Sequence, residues 1–376
     1  MSVIDHHIHV VSFDVPYPPT YGGVIDVYYK IKALHAKGVK VHLHCFQYGR
    51  EESTHLESLC EEVKYYPRNV SRAQLFTRLP YIVISRNSEK LIQELANDNF
   101  PILFEGLHTC GMLDDPRLDG RFKMVRTHNV ESDYYRSLAK VERNVFKRYY
   151  FHNEASKLEA FEPVLAKADA IAAISRNDTL YFEKKYKNAF YIPAFHANEK
   201  VNITPGRGKF ALYHGNLAVG ENNEAALFLV NKVFHQSDIP LMIAGSRPSK
   251  ELQSAVAKKN HITLLSDLST RQIHQLISDA QVNILPTFQP TGIKLKLLSA
   301  LYNGRFAVVN TPMVENTGLE DLCLVEDDAD GMRELVTSLM QRDFTESDIA
   351  LREKTLRESF SNDINVQKLI NLFGNS

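Results

Sequence analysis

Short apolar runs alternate with helix-patterned stretches along this chain, and the alternation starts again after a polar, Gly- and Pro-containing segment near its middle. Strands separated by one helix pair in parallel through crossovers, which places helices on both faces of a sheet. In the first half, Ile8–Phe13, Val39–Phe46, Glu62–Tyr66, Pro101–Phe104, Phe122–Thr127, Ala170–Ile174 and Phe190–Ile192 read as strands. A helix is expected from the Gly22-Gly23 loop to about Lys37, where Gly38 stops it, and a long helical region over Glu131–Lys167. Thr204-Pro205-Gly206-Arg207-Gly208 reads as a linker, after which Phe210–Tyr213, Pro240–Ala244, His261–Leu265, Val282–Pro286 and Phe306–Asn310 supply a second set of strands. A chain of 376 residues exceeds one ordinary core. The expected architecture is α/β: two Rossmann-like doubly wound domains over 1–200 and 201–350, with closing helices over 351–376.

Composition narrows the class. With 44% hydrophobic and 24% charged residues the chain reads as an ordinary globular protein. Its net charge of −1 gives no general attraction to nucleic acid, and no apolar run approaches the ~20 residues that span a bilayer. The start, Met1-Ser2-Val3-Ile4-Asp5-His6-His7, lacks the basic and apolar regions of a signal peptide. Cys45, Cys60, Cys110 and Cys323 are far apart, which supports neither zinc nor a disulfide framework, so a reduced cytoplasmic protein is expected. His6-His7-Ile8-His9 and His42-Leu43-His44-Cys45 invite a metal reading, but alternate strand residues face opposite sides, and a satisfied core or edge role is expected instead.

Doubly wound sheets bind ligands beyond the carboxyl ends of their strands. In the first half the residues there are Tyr21-Gly22-Gly23, Glu105-Gly106-Leu107-His108 and Arg126-Thr127-His128-Asn129; in the second they are Gly215-Asn216, Gly245-Ser246-Arg247, Pro286-Thr287 and Thr291–Lys296. The stretch Pro290-Thr291-Gly292-Ile293-Lys294-Leu295-Lys296-Leu297-Leu298-Ser299-Ala300 opens an apolar helix, where free N–H groups and the helix dipole seat an anion. Lys294 and Lys296 stand where the dipole favours acidic residues, so the turn reads either as a diphosphate site or as a solvated helix start. Arg136–Tyr150 mixes basic and aromatic residues; it reads either as a membrane-surface helix or as a solvated face over an ordinary core face.

Taken in register, several of these segments resemble one family. Ser12-Phe13-Asp14-Val15-Pro16-Tyr17-Pro18-Pro19-Thr20-Tyr21-Gly22-Gly23 resembles the opening of retaining GT-B glycosyltransferases, the family-four type that builds bacterial surface polysaccharides. Val125–Glu131 is similar to that family's mid-chain histidine segment, Ala168–Ser175 to its strand before the linker, and Ile243-Ala244-Gly245, Gly292–Ala300 and Asn303–Val309 to its donor-domain core. The resemblance implies two domains facing across a cleft, with a C-terminal helix returning to the first. It implies no cofactor beyond a nucleotide-diphosphate sugar donor, and a glycan or lipid-linked saccharide acceptor. The cytoplasm is then the expected place, at the inner face of the membrane if the acceptor is lipid-linked.

By position, His128 matches the family histidine near the transferred sugar, with a satisfied strand-end histidine as the plain alternative, and Glu105 stays in play as a catalytic carboxylate. Gly23, Gly215, Asn216, Arg247, Thr291, Gly292, Ile293, Lys294, Lys296 and Ser299 fall to the donor and its phosphates; Tyr21, Gly22, His108, Arg126 and Asn129 fall to the acceptor. Two departures stand out. Thr291 and Ser299 occupy places where relatives commonly carry glutamates, and Gly215-Asn216-Leu217-Ala218-Val219-Gly220-Glu221 lacks the basic residues common after the first donor-domain strand. No strand-end Asp-x-Asp occurs, so a metal-independent reaction is expected. A non-catalytic nucleotide- or glycan-binding relative and a nucleotide-sugar epimerase on the same fold are the alternatives.

Overall fold

The computed structural model describes residues 6–142, 144–288 and 295–374. Two compact units divide the chain, one of residues 1–197 and 359–376, the other of residues 198–358.

The first unit is built on a seven-stranded, wholly parallel sheet of β1 (His7–Ser12), β2 (Lys40–Gln47), β3 (Glu62–Pro67), β4 (Ile102–Glu105), β5 (Lys123–Thr127), β6 (Ala170–Ala173) and β7 (Ala189–Tyr191). Their spatial order is β3-β2-β1-β4-β5-β6-β7, so the winding reverses between β1 and β4, where a doubly wound sheet opens its ligand crevice. Because both faces are covered, the central strands β4 and β6 are buried along their whole length, whereas β1 and β2 alternate histidine with aliphatic residues. One core gathers Val10, Val41 and Leu43 with Val27, Ile31 and Leu34 of helix Gly22–Ala36; the other gathers Val11, Phe104 and Val125 with Leu158 and Phe182. The last helix, Asn362–Gly374, buries Val366 and Leu369 in the first of these cores and pairs Asp363 with Lys37.

The second unit holds a six-stranded parallel sheet: β8 (Ala211–His214), β9 (Leu241–Ala244), β10 (Ile262–Leu265), β11 (Val282–Ile284), β12 (Phe306–Val309) and β13 (Leu324–Val325). Its order, β10-β9-β8-β11-β12-β13, reverses between β8 and β11. The sequence expectation of two doubly wound parallel sheets holds.

Two local expectations change. The long helical region breaks into helices Glu131–Val141 and Val145–Phe161, and Asn144 caps the second by accepting hydrogen bonds from the N–H groups of Phe146 and Lys147. The histidines of β1 and β2 are not scattered to opposite sides. His7 and His42 lie 2.8 Å apart, His9 and His44 2.9 Å, and His9 Nε2 is 3.0 Å from Asp98 Oδ1. Residues i and i+2 share a strand face, and parallel pairing sets the two rows side by side. Burial pushes His9 down to about 4 against the pull of Asp98 and holds His44 well below the ordinary range, so this buried pair is uncharged at neutral pH.

Candidate functional site

At the winding reversal of the first sheet, charged side chains converge in the interior. Asp26 and Lys30, one turn apart on helix Gly22–Ala36, are both fully buried, as are Glu105 at the end of β4 and Arg126 in β5. Lys30 Nζ lies 2.9 Å from Asp26 Oδ2 and 2.7 Å from Glu105 Oε1. Arg126 donates to Asp26 at 3.1 and 2.8 Å and to the Ile192 and Pro193 carbonyls at 2.6 and 3.0 Å. The Phe195 N–H completes the shell of Asp26 at 2.8 Å. Two carboxylates thus face two cations, which is what permits four charges inside a domain. Burial opposes the ionisation of Asp26, but Arg126 and Lys30 hold its carboxyl well below the usual range.

His128 sits at the rim of this network, just beyond β5. Its Nε2 is 3.3 Å from Glu105 Oε2, and 10% of the side chain reaches solvent. Glu105, already paired with Lys30, offers acceptors only, so Nε2 carries the proton of this contact and Nδ1 is the ring nitrogen turned away from it. Phe13 packs edge-on against the His128 ring at 5.5 Å and beside His108 at 5.2 Å. Asp26, Glu105 and His128 are grouped as three metal ligands would be, but both carboxylates are engaged by the protein's own Lys30 and Arg126.

The remaining first-domain candidates are placed differently. Every guanidinium nitrogen of Arg126 is committed internally, so this residue compensates charge and supports the site from beneath. The His108 Nδ1 is shielded and has no hydrogen-bond partner among the described residues. Tyr21 donates to Asp14 at 2.8 Å. A Cβ at Gly23 would come within 2.7 Å of the Phe13 ring, so glycine there serves the chain's own packing, whereas Gly22 faces open space. Asn129 hydrogen-bonds Glu131, whose carboxyl burial pushes up to about 8.

In the second sheet the corresponding position lies over β8. Lys296 Nζ donates to Asn222 Oδ1 at 2.8 Å and stands 3.4 Å from the Tyr213 hydroxyl, with the Tyr213 ring beneath it at 5.1 Å. Asn222 donates to the Asn216 carbonyl at 3.0 Å, and Asn216 Oδ1 receives Ser246 Oγ at 3.1 Å. A Cβ at Gly245 would lie 2.0 Å from the Gly215 carbonyl, which is why these two loops can close on each other. Thr287, following β11, donates to Glu221 at the start of helix Gly220–Phe228. Arg247 is exposed and adopts a left-handed φ of 51°. Burial, reinforced by Lys296, pushes His214 down to about 3. Gly215, Asn216 and Lys296 are therefore brought together, and Ser299 lies one turn further along the helix Leu295–Asn303. Thr291, Gly292, Ile293 and Lys294 lie outside the described residues.

Residues 208–342 match the family described as glycosyl transferases group 1. That match takes in the whole six-stranded sheet of the second unit. A curated relative of this chain, 27% identical over 344 residues that cover 85% of the chain and 88% of the relative, is an uncharacterized 44.6 kDa protein in the cps region of Klebsiella pneumoniae. Among solved structures, a glycosyltransferase from Rickettsia africae superposes with a TM-score of 0.67 at 14% identity, covering 99% of this chain and 98% of that one. The Anabaena protein HepE, solved with UDP and glucose, gives a TM-score of 0.67 at 11% identity, covering 98% and 99%. These structural likenesses establish the GT-B fold. No described helix of the chain is long and apolar enough to cross a membrane.

Sequence reading missed Asp26 and Lys30. Their only signal was an Asp and a Lys four residues apart on the apolar side of helix Gly22–Ala36, which a solvated helix pair would produce equally well.

Proposed function

We propose that this protein is a group 1 glycosyltransferase that moves a hexose from a nucleotide-diphosphate sugar to a saccharide acceptor, with retention of anomeric configuration and without a metal, in the cytoplasm. One observation carries the reading: Lys296 stands over the carboxyl end of β8, beside the Gly215-Asn216 turn and at the winding reversal of the family-matched sheet. A cation and the opening turns of helices at such a reversal suit a diphosphate. The Anabaena relative's crystals with UDP-glucose support the donor class, and the cps-region relative supports polysaccharide synthesis.

In this reading the bond between the anomeric carbon and the diphosphate oxygen breaks, the acceptor oxygen bonds to that carbon on the same face, and the acceptor proton passes to the leaving phosphate. Charge builds on the diphosphate, which Lys296 and backbone N–H groups around Gly215 stabilise by preorganisation. His128, with Nε2–H fixed on Glu105, offers Nδ1 to a sugar hydroxyl, and Asp26, Lys30 and Arg126 act as positioning residues. Ser299 supplies a neutral hydroxyl to the ribose, a weaker contact than a carboxylate. Tyr21, Gly22 and Asn129 remain for the acceptor.

Purified protein should be incubated with UDP-, GDP- and ADP-sugars, scoring thermal shift, free nucleotide and sugar identity. Nucleotide release with sugar transfer or hydrolysis supports the reading. Thermal protection with no turnover would make the chain a nucleotide-binding relative, and isomerised sugar would make it an epimerase.

A further inference from the structure

The first turn of helix Val145–Phe161 is exposed, and no described residue covers it. Helices Glu131–Val141 and Val145–Phe161 form a hairpin, and the second buries Glu154, Ala155 and Leu158 only in its later turns. Around the tip, Val141 is 47% exposed, Val145 63%, Phe146 86% and Tyr149 74%. Neither the Phe146 nor the Tyr149 ring packs against another ring among the described residues. Apolar residues in a solvated helix start cost solvation and contribute nothing to the fold, so the plain reading of this segment as a solvated face over core does not account for them.

The charges around them are equally unpartnered. Arg136, in the body of the hairpin, is paired to Asp133 and Glu159. Lys140, Lys147 and Arg148 at the tip form no ion pair among the described residues, and of the described residues there only Glu142 is acidic. Glu142 is itself turned inward on the backbone, accepting from the Asn144 N–H at 2.8 Å. A chain of net charge −1 thus concentrates three open cations around an aliphatic and aromatic tip. The Asn144 cap fixes the start of the second helix, so Val145, Phe146 and Tyr149 are presented by helix.

We propose that this tip docks peripherally on an anionic lipid bilayer. Phe146, Tyr149 and Val145 fall within one helical turn and enter the headgroup–acyl boundary together, Tyr149 keeping its hydroxyl at the polar level. Lys140, Lys147 and Arg148 reach outward to lipid phosphates, as long cationic side chains do at such a boundary. A second protein would instead need carboxylates at matched positions and would protect the aromatics by packing, whereas interleaved open cations and rings suit a fluid anionic surface. The first helix of the hairpin spans about 16 Å and starts three residues after His128, so docking holds the rim of the first-domain site within reach of a bilayer. The surface stands whether or not the site transfers sugar.

The chain contains no tryptophan, so Phe146→Trp introduces a single indole at the tip and Leu180→Trp, on helix Arg176–Tyr186, a control at another exposed apolar position. Full-length protein is mixed with vesicles of phosphatidylcholine alone or with added phosphatidylglycerol, reading indole emission and co-sedimentation. The tip indole shifts to the blue only with phosphatidylglycerol present, while the Leu180→Trp indole does not move. Binding weakens by about fivefold for each cation removed in Lys147→Ala and Arg148→Ala, by at least about tenfold in Phe146→Ser/Tyr149→Ser, and on raising salt. All these positions are exposed, and unchanged melting temperatures verify folding. Absence of binding, equal binding to both vesicles, or unchanged binding by Phe146→Ser/Tyr149→Ser overturns the proposal. So does a concentration-dependent dimer abolished by that double change, which would assign the tip to a second copy of the chain.

Discussion

Removing the carboxylate of Asp26 by Asp26→Asn tests the buried network most directly. Asp26 and Glu105 balance Lys30 and Arg126, and all four side chains are shut from water. The asparagine keeps the shape but leaves one buried cation uncompensated, an imbalance that costs about 3–5 kcal/mol. Lys30→Met leaves the opposite imbalance at similar cost. Combining the two restores neutrality, with Glu105 and Arg126 remaining, so the double variant should be less destabilised than the sum by about 2 kcal/mol. Urea unfolding at pH 7, followed by circular dichroism, measures each variant on the first-domain transition. Additivity within a few tenths of a kcal/mol would refute charge balance as the organising principle of the site. The cycle reads stability alone, so it holds whichever donor or acceptor the enzyme uses.

Glu131→Gln should show a pH-dependent gain. Its folded pKa, about 8, lies above the unfolded 4.5, so wild-type stability is full below 4.5 and is lost as pH rises towards 8. The gain of the variant should therefore grow by about 2.5 kcal/mol between pH 5 and pH 7 in urea titrations, and a constant difference would refute the assignment. Lys296→Ala should weaken donor affinity about tenfold or more by calorimetry, as expected for loss of a charge-assisted contact; unchanged binding removes it from the phosphate site. His128→Ala should lower turnover by about a hundredfold with little change in nucleotide affinity, and wild-type rates would end its role. Leu369→Ala, which empties part of the first core, should cost about 2–4 kcal/mol in the first-domain transition; a smaller loss would show that the last helix contributes little there.

The tip of the helical hairpin illustrates how partial a sequence reading is. Its basic and aromatic composition was visible, but composition is silent on exposure, and the same residues on a packed helix would be core. The end of one helix at Val141 and the start of the next at Val145 were equally hidden, because these two residues continue a helical pattern while an asparagine cap depends on local backbone geometry. The histidines of β1 and β2 take the satisfied core role expected of them, but on a shared face: alternation along one strand predicts a face, and the neighbour's register decides what that face meets.

The linear chain by itself determined the two parallel sheets, the helix that opens at Gly22 and the strand ends where candidate residues gather. Apolar periodicity records which side of each element leaves water, and a doubly wound sheet fixes where its crevice opens. Tertiary structure alone decided that Asp26 meets Arg126, that Arg126 turns inward rather than towards a ligand, and that Lys296 stands on Tyr213. A buried charge looks like a solvated one until its partner, distant in the chain, is brought beside it, and no local pattern carries that information.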